Sequence, residues 1–248
     1  MNKKVEKKTK EKKQEPTEKN KTEKKTKIKR KIKAVPILIL LVAIVLLYFL
    51  IKLVFGIKIQ NIYVKGNMNL SDEYIIEKAK LEDYPSYYKN LSFIVENRLK
   101  SDIFIKEAKV RRQFFAVINI EVEENNVLFY KENDGRYVLE DGQETSEVPY
   151  AINPITVVNY IPDTIYNNFV KKMSLVPEDV RTKISEIKYD PSDYDQSRFM
   201  LYMKDGNYVY ITLTKFDSLN YYNEIYPTLE GKKGILYLDS GNHFQEIK

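Results

Sequence analysis

Ala108-Lys109-Val110-Arg111-Arg112-Gln113-Phe114-Phe115-Ala116-Val117-Ile118-Asn119-Ile120-Glu121-Val122-Glu123-Glu124 is the stretch on which the fold turns. Ala108, Val110 and Arg112 share one parity ahead of the paired phenylalanines. After them Val117, Asn119 and Glu121 fall on one parity, and Ile118, Ile120 and Val122 on the other. Side chains of a strand alternate between its two faces, so this pattern predicts a hairpin with one buried face, turning at Phe114-Phe115.

Upstream, Ile59, Ile62 and Val64 lead into Gly66-Asn67, a strand and a turn. Ser71 is placed to cap a helix, with Asp72 and Glu73 favouring its N-terminal dipole and Ile75, Ile76, Ala79 and Leu81 mostly on one face. Tyr84-Pro85-Ser86 breaks that helix, and Leu91, Ile94, Val95 and Leu99 mark a second. Strand, helix, helix, strand, strand makes a three-stranded sheet covered by two helices. Arg112 reads as an exposed strand residue supporting the sheet edge. Glu121, Glu123 and Glu124 read as solvated charge rather than catalytic carboxylates, because nothing in the pattern signals their burial.

Further upstream the run AVPILILLVAIVLLYFLIKLVFGI, Ala34–Ile57, has no charge before Lys52. At about 1.5 Å per residue it reaches across a hydrocarbon core of ~30 Å. Pro36 falls in the first turn, where a missing N–H costs little. A buried core helix rarely runs this far without a polar face, and a signal peptide has a shorter apolar region and a small-residue cleavage site. A retained anchor is expected. Lys52 lies near its end, where a long side chain snorkels to the headgroups.

Residues 1–33 hold 15 Lys and 1 Arg against 5 Glu, a net of +11. The whole chain carries +6, so the remainder sums to −5. Apart from the initial Met1, Val5, Ile28 and Ile32 are the tail's only large apolar residues, too few for a core, so a disordered basic tail is expected. Lys29, Arg30, Lys31 and Lys33 abut the apolar run, where the positive-inside rule wants cations and where they attract anionic lipid. No aromatic is interleaved with them, so no nucleic-acid partner is expected. The topology that follows has a cytoplasmic N-terminus and an extracytoplasmic C-terminus.

The chain has no cysteine. That excludes disulfides and thiol nucleophiles, and a folded exported region without disulfides fits a bacterium. The glycosylation sequons at Asn69 and Asn90 are then chance matches.

Here the residues carry a resemblance. Ile59-x-x-Ile62-x-Val64-x-Gly66-Asn67 resembles the opening of a POTRA domain directly after an anchor. The Ala108–Glu124 run is similar to the signature that ends this domain in the FtsQ/DivIB family of bacterial cell-division proteins. The chain departs from that pattern at Phe115, where proline is usual, and at Val127, where the family often has proline after the acidic residue.

Beyond Asn126 a second module is expected, a mixed α/β sheet over 127–248. Val127–Tyr130 and Arg136–Leu139 flank the turn Asn133-Asp134-Gly135. Ile155–Val158 is a strand. Asp163 or Thr164 is expected to cap a helix carrying Ile165, Phe169, Met173 and Val176, ended near Pro177. A strand through Ile184, Ile187 and Tyr189 precedes the clearest hairpin, Arg198–Lys204 and Tyr208–Leu213 around Asp205-Gly206-Asn207. A short helix through Phe216, Leu219 and Tyr222 is halted by Pro227. The last strand is Ile235–Leu238. The order is similar to the β domain that follows POTRA in FtsQ/DivIB proteins. Overall the fold class is α+β: disordered tail 1–33, transmembrane helix 34–57, POTRA domain 58–126 and sheet domain 127–248.

His243 is the only histidine, which excludes a multi-histidine metal site or relay within the chain. No G-x-S-x-G, P-loop or G-x-G-x-x-G occurs. Carboxylates are abundant and 20 tyrosines offer sugar-stacking surface, so a membrane-anchored wall enzyme and an exported sugar-binding or sensor module stand as alternatives. The family resemblance implies instead a non-enzymatic scaffold at the division septum, without cofactors. It implies FtsL-type and FtsB/DivIC-type partners, and through them the septal wall synthase. Ile235–Leu238 is expected at a sheet edge, with Ile235, Leu236, Tyr237, Leu238 and Phe244 at the position where the resemblance implies that the FtsB/DivIC-type partner docks. Only a polar tail is expected after it.

Overall fold

The computed structural model describes residues 34–247. The basic tail, with Lys29, Arg30, Lys31 and Lys33, lies outside the described residues. The backbone separates into an N-terminal unit ending at Phe49 and a second unit from Leu50 onward.

Helix α1 (Ala34–Phe55) begins in the first unit and ends in the second. Its span Val35–Phe55, 21 residues, is long and apolar enough to cross a membrane. At ~1.5 Å per residue that is about 32 Å. The side chains from Val35 to Leu53 are all exposed, which sets aside a core helix. Lys52 sits in the last turn.

In the second unit the first sheet forms from β1 (Asn61–Lys65), β2 (Ile105–Gln113) and β3 (Val117–Glu124), covered by α2 (Asp72–Lys78) and α3 (Ser92–Lys100). The order is β1-β3-β2, with β1 parallel and β2 antiparallel to β3. Val110 stands opposite Ile120, and both are buried with Ile75, Val95, Leu99 and Ile118. Alternation therefore places the expected residues inside. The Ser71 hydroxyl accepts the Tyr74 N–H at 3.1 Å and caps α2. Gly66 has φ +86°, and a Cβ there would stand 2.2 Å from the Val122 carbonyl oxygen, so only glycine fits.

The second sheet has nine strands. In chain order they are β4 (Val127–Lys131), β5 (Arg136–Leu139), β6 (Glu144–Thr145), β7 (Thr156–Val157), β8 (Ile184–Tyr189), β9 (Arg198–Met203), β10 (Tyr208–Thr212), β11 (Gly234–Tyr237) and β12 (His243–Glu246). Their spatial order is β12-β11-β10-β9-β8-β7-β4-β5-β6. Helices α4 (Asp163–Ser174) and α5 (Glu178–Arg181) and the turns from Leu213 to Leu229 supply the other side of its core. Phe169 stacks on Phe199 at 4.7 Å and meets Phe129 and Phe216 edge-on or tilted.

Three expectations change. Asp163 does not cap α4: it lies inside the first turn, and Pro162 occupies the cap position without a side-chain bond. The segment around Phe216 winds mostly as 3-10 turns rather than one helix, and Pro227 sits within the last of them. Most important, Ile235–Leu238 is not an edge. The supposedly polar tail folds back as β12, antiparallel to β11, and takes the edge position itself. Phe244 supplies the reason. It is the tail's apolar anchor, packing on the sheet core from the position opposite Leu236.

Candidate functional site

Strand β11 is seated by residues far from it in sequence. The turn between β9 and β10 carries Asn207, which is buried. Its Oδ1 accepts the Gly234 N–H at 3.0 Å. A Cβ on Gly234 would lie 2.1 Å from the Gln245 carbonyl oxygen and 2.7 Å from Phe244 Cζ. Glycine is thus needed for β12 to approach. Leu238 donates its N–H to the Tyr210 carbonyl and closes the strand.

Alternation divides the expected site residues between two faces. Leu236 and Leu238 are buried in the core, while Ile235 and Tyr237 are partly exposed on the open face. On that face the Arg198 guanidinium lies 4.4 Å from the Tyr210 ring, Tyr210 stacks on Tyr237 at 5.5 Å, and Tyr237 stacks on His243 at 4.6 Å. The row crosses β9, β10, β11 and β12 and ties the last strand down. Arg198 is itself fixed by Asp190, at 3.0 Å from Nη2, and reaches toward Asp239. Burial alone would lift the Asp190 carboxyl, but the Lys188 hydrogen bond and the Lys188 and Arg198 charges hold it below the ordinary range. His243 lies in a strand rather than a polar tail, and it remains exposed.

A second cluster joins the two sheets, and there the reading of Glu124 is overturned. Glu124 is buried, and its carboxylate accepts the N–H groups of Met68 (2.7 Å), Asn69 (3.0 Å) and Leu70 (2.9 Å). Next to it Asn125, also buried, donates to Ile103 O at 2.8 Å, while its Oδ1 accepts the Asp141 N–H. Asn126 accepts from Glu140 N and from the Asn69 amide. Three consecutive residues thereby hold loops of the first sheet and the β5 turn of the second. Leu139 completes the joint by burying itself in the first sheet's core.

Arg112 also departs from its reading. It is partly buried, donates to the Tyr87 carbonyl at 3.0 Å, and stacks 3.9 Å over the Tyr87 ring. Glu121 and Glu123 are exposed, as read. Among the described residues, no group of three or more His, Cys, Asp or Glu is arranged to hold a metal.

The model of the POTRA domain, FtsQ-type, matches residues 57–125. The cell division protein DivIB of Listeria monocytogenes is 30% identical over 216 residues, covering 84% of this chain and 78% of that protein. The chain belongs to the FtsQ/DivIB family. Bacillus subtilis DivIB is 28% identical over 220 residues, covering 84% of this chain and 83% of that protein. A solved extracytoplasmic domain of Geobacillus stearothermophilus DivIB overlays at 24% identity with a TM-score of 0.35, covering 44% of this chain and 96% of that one, too loosely to bear on the fold. Both relatives are cell division proteins, and the POTRA match falls on the first sheet and its helices.

Sequence reasoning missed Asn207, Gly234, Arg198, Tyr210 and the β12 strand. The alternating tyrosines of Tyr208-Val209-Tyr210 were a signal for an aromatic open face. Nothing in the local pattern placed Gly234 under Phe244.

Proposed function

We propose that this FtsQ/DivIB-family chain is a bitopic scaffold of the division machinery that works by binding. In this reading residues 1–33 lie in the cytoplasm, 34–57 span the membrane, and 58–126 and 127–248 form two extracytoplasmic domains. Partners of the FtsL and FtsB/DivIC type engage the second domain and stabilise or regulate septal wall synthesis through it. The protein concentrates at the septum.

The observation that carries the reading is the end strand β12. A sheet ends in unpaired N–H and C=O groups that a second chain can satisfy. The nine-stranded sheet has two ends. β6 has only 2 residues, whereas β12 has 4 and is braced by the aromatic row behind it. The docking strand is therefore assigned to β12 rather than β11. Ile235, Tyr237 and Phe244 act as its support, and Leu236 and Leu238 as the core beneath. Septal localisation of a fluorescent fusion, with co-purification from membranes and mass spectrometry, tests the reading. A diffuse membrane signal with no co-purifying division proteins overturns it.

A further inference from the structure

The turn between β2 and β3 exposes Phe114 and Phe115, each 91% exposed. Phe115 and Ala116 both have positive φ, 63° and 56°, a region non-glycine residues seldom adopt. The strained turn buries Ala116 and presents both rings outward. Proline, fixed near −65°, does not fit at Phe115, so the departure from the family pattern has a structural consequence here.

The tip sits where the chain enters the sheet. Gln60 donates its N–H to Ala116 O, and Ile57 O accepts from Tyr87 N. Gln60 follows the end of α1 at Phe55 by five positions, at most about 18 Å of extended chain. Beside the tip lies an open cleft of about 970 Å³ lined by Ile57, Tyr87, Tyr88, Arg112 and the two phenylalanines. No lining residue is acidic, and Arg112 is its one formal charge. Among the described residues Arg112 bonds to the Tyr87 carbonyl rather than to a carboxylate, and its Nε is buried without a partner. Apolar rings at a tip, tyrosines behind them and one uncompensated guanidinium are the composition of a surface that meets lipid headgroups.

We propose that the Phe114-Phe115 tip inserts into the headgroup region of the extracytoplasmic leaflet, with Arg112 facing lipid phosphate. The occupant is the bilayer, because the chain itself delivers this end of the sheet to within a few residues of the apolar helix. The proposal rests on α1 being a membrane anchor.

The sequence has no cysteine, so an introduced one takes a single label. The full chain is reconstituted in vesicles of phosphatidylglycerol and phosphatidylethanolamine carrying nitroxide lipids and no other protein. An environment-sensitive fluorophore is placed at Gln113→Cys, at Leu46→Cys in α1, or at Tyr194→Cys, a position 100% exposed in the second sheet's loops. Quenching by a headgroup-proximal nitroxide is expected to be several-fold greater at 113 than at 194. In the background Phe114→Ser with Phe115→Ser, it should fall to the level at 194. Both rings are exposed, so this variant leaves the core intact. If 113 and 194 are quenched alike while 46 is quenched by a deep nitroxide, the tip does not touch lipid and the proposal is overturned. Quenching at 113 that appears only with added membrane proteins overturns it in favour of a protein partner. An unquenched 46 overturns the anchor reading and the proposal with it.

Discussion

The Glu124 carboxylate accepts the Leu70 N–H at 2.9 Å across 54 positions of sequence, with both residues buried. The same carboxylate takes the two preceding amides, so it closes the 68–70 loop as a bound anion would. Because Asn125 and Asn126 carry the chain straight into the second sheet, this loop and the joint between sheets are one structure.

Glu124→Ala should destabilise the two-sheet region by about 2–4 kcal/mol, since it strands three amides on a buried loop. Glu124→Gln keeps one acceptor oxygen and should cost about half as much. Denaturant unfolding of the detergent-solubilised chain measures both. A Glu124→Ala protein as stable as the parent would mean that the amides find water and the carboxylate is dispensable.

Gly234→Ala should detach β12 while leaving the rest of the sheet paired. The added Cβ meets the Gln245 carbonyl and the Phe244 ring, both on β12. Faster amide exchange confined to residues 243–247 is the expected result. Loss of protection extending through β9 and β10 would mean that Gly234 supports the whole sheet.

Alkaline pH should weaken the fold through three tyrosines. Tyr222 is buried and donates to Asp205 Oδ2 at 2.7 Å. Burial, then that hydrogen bond, lifts its pKa above the ordinary 10.0. Tyr166 with Glu144 and Tyr74 with Asp102 are raised for the same two reasons. In the unfolded chain these phenols ionise near pH 10, while the folded chain keeps their protons. Their contribution is therefore whole below pH 10 and declines as pH rises above it, by up to about 1.4 kcal/mol per pH unit for each group. Thermal unfolding from pH 8 to 11.5 checks the slope, which should be shallower in Tyr222→Phe. An identical slope in that variant would assign the effect elsewhere.

Much of the fold was legible because its signals are local. The parity of Val110, Ile118, Ile120 and Val122 fixed the buried face, and Ser71 announced the start of α2. The Glu124 joint was not legible, since a charged residue at a strand's end reads as solvated until the amides of 68–70 are brought to it. The edge was misread for a related reason. His243–Glu246 has one large apolar residue, Phe244, and too little alternation to predict a strand. Its pairing is decided by Gly234, whose missing Cβ matters only after the two strands meet. Arg112 likewise needed Tyr87, which lies 25 positions away.

The last prediction concerns the free edge of β12. Ile247 donates its N–H to Lys233 O at 3.0 Å, and antiparallel partners exchange bonds at every second residue. With Gly234 opposite Glu246 and Ile235 opposite Gln245, the backbones of Gln245 and His243 face β11, and those of Phe244 and Glu246 face outward. Proline is tolerated at an edge where its missing N–H would have faced solvent. Glu246→Pro should leave the stability of the sheet nearly unchanged but remove one outward donor and bend the strand away from an incoming chain. Each main-chain bond is worth roughly 0.5–1.5 kcal/mol net, so capture of division proteins from membranes should fall by up to about tenfold per bond lost. Gln245→Pro removes a bond inside the sheet and should lower both stability and capture. The two variants thus separate a docking edge from a structural one. Should Glu246→Pro retain its partners in full while Gln245→Pro loses them, β12 serves the fold alone, and binding resides on another surface.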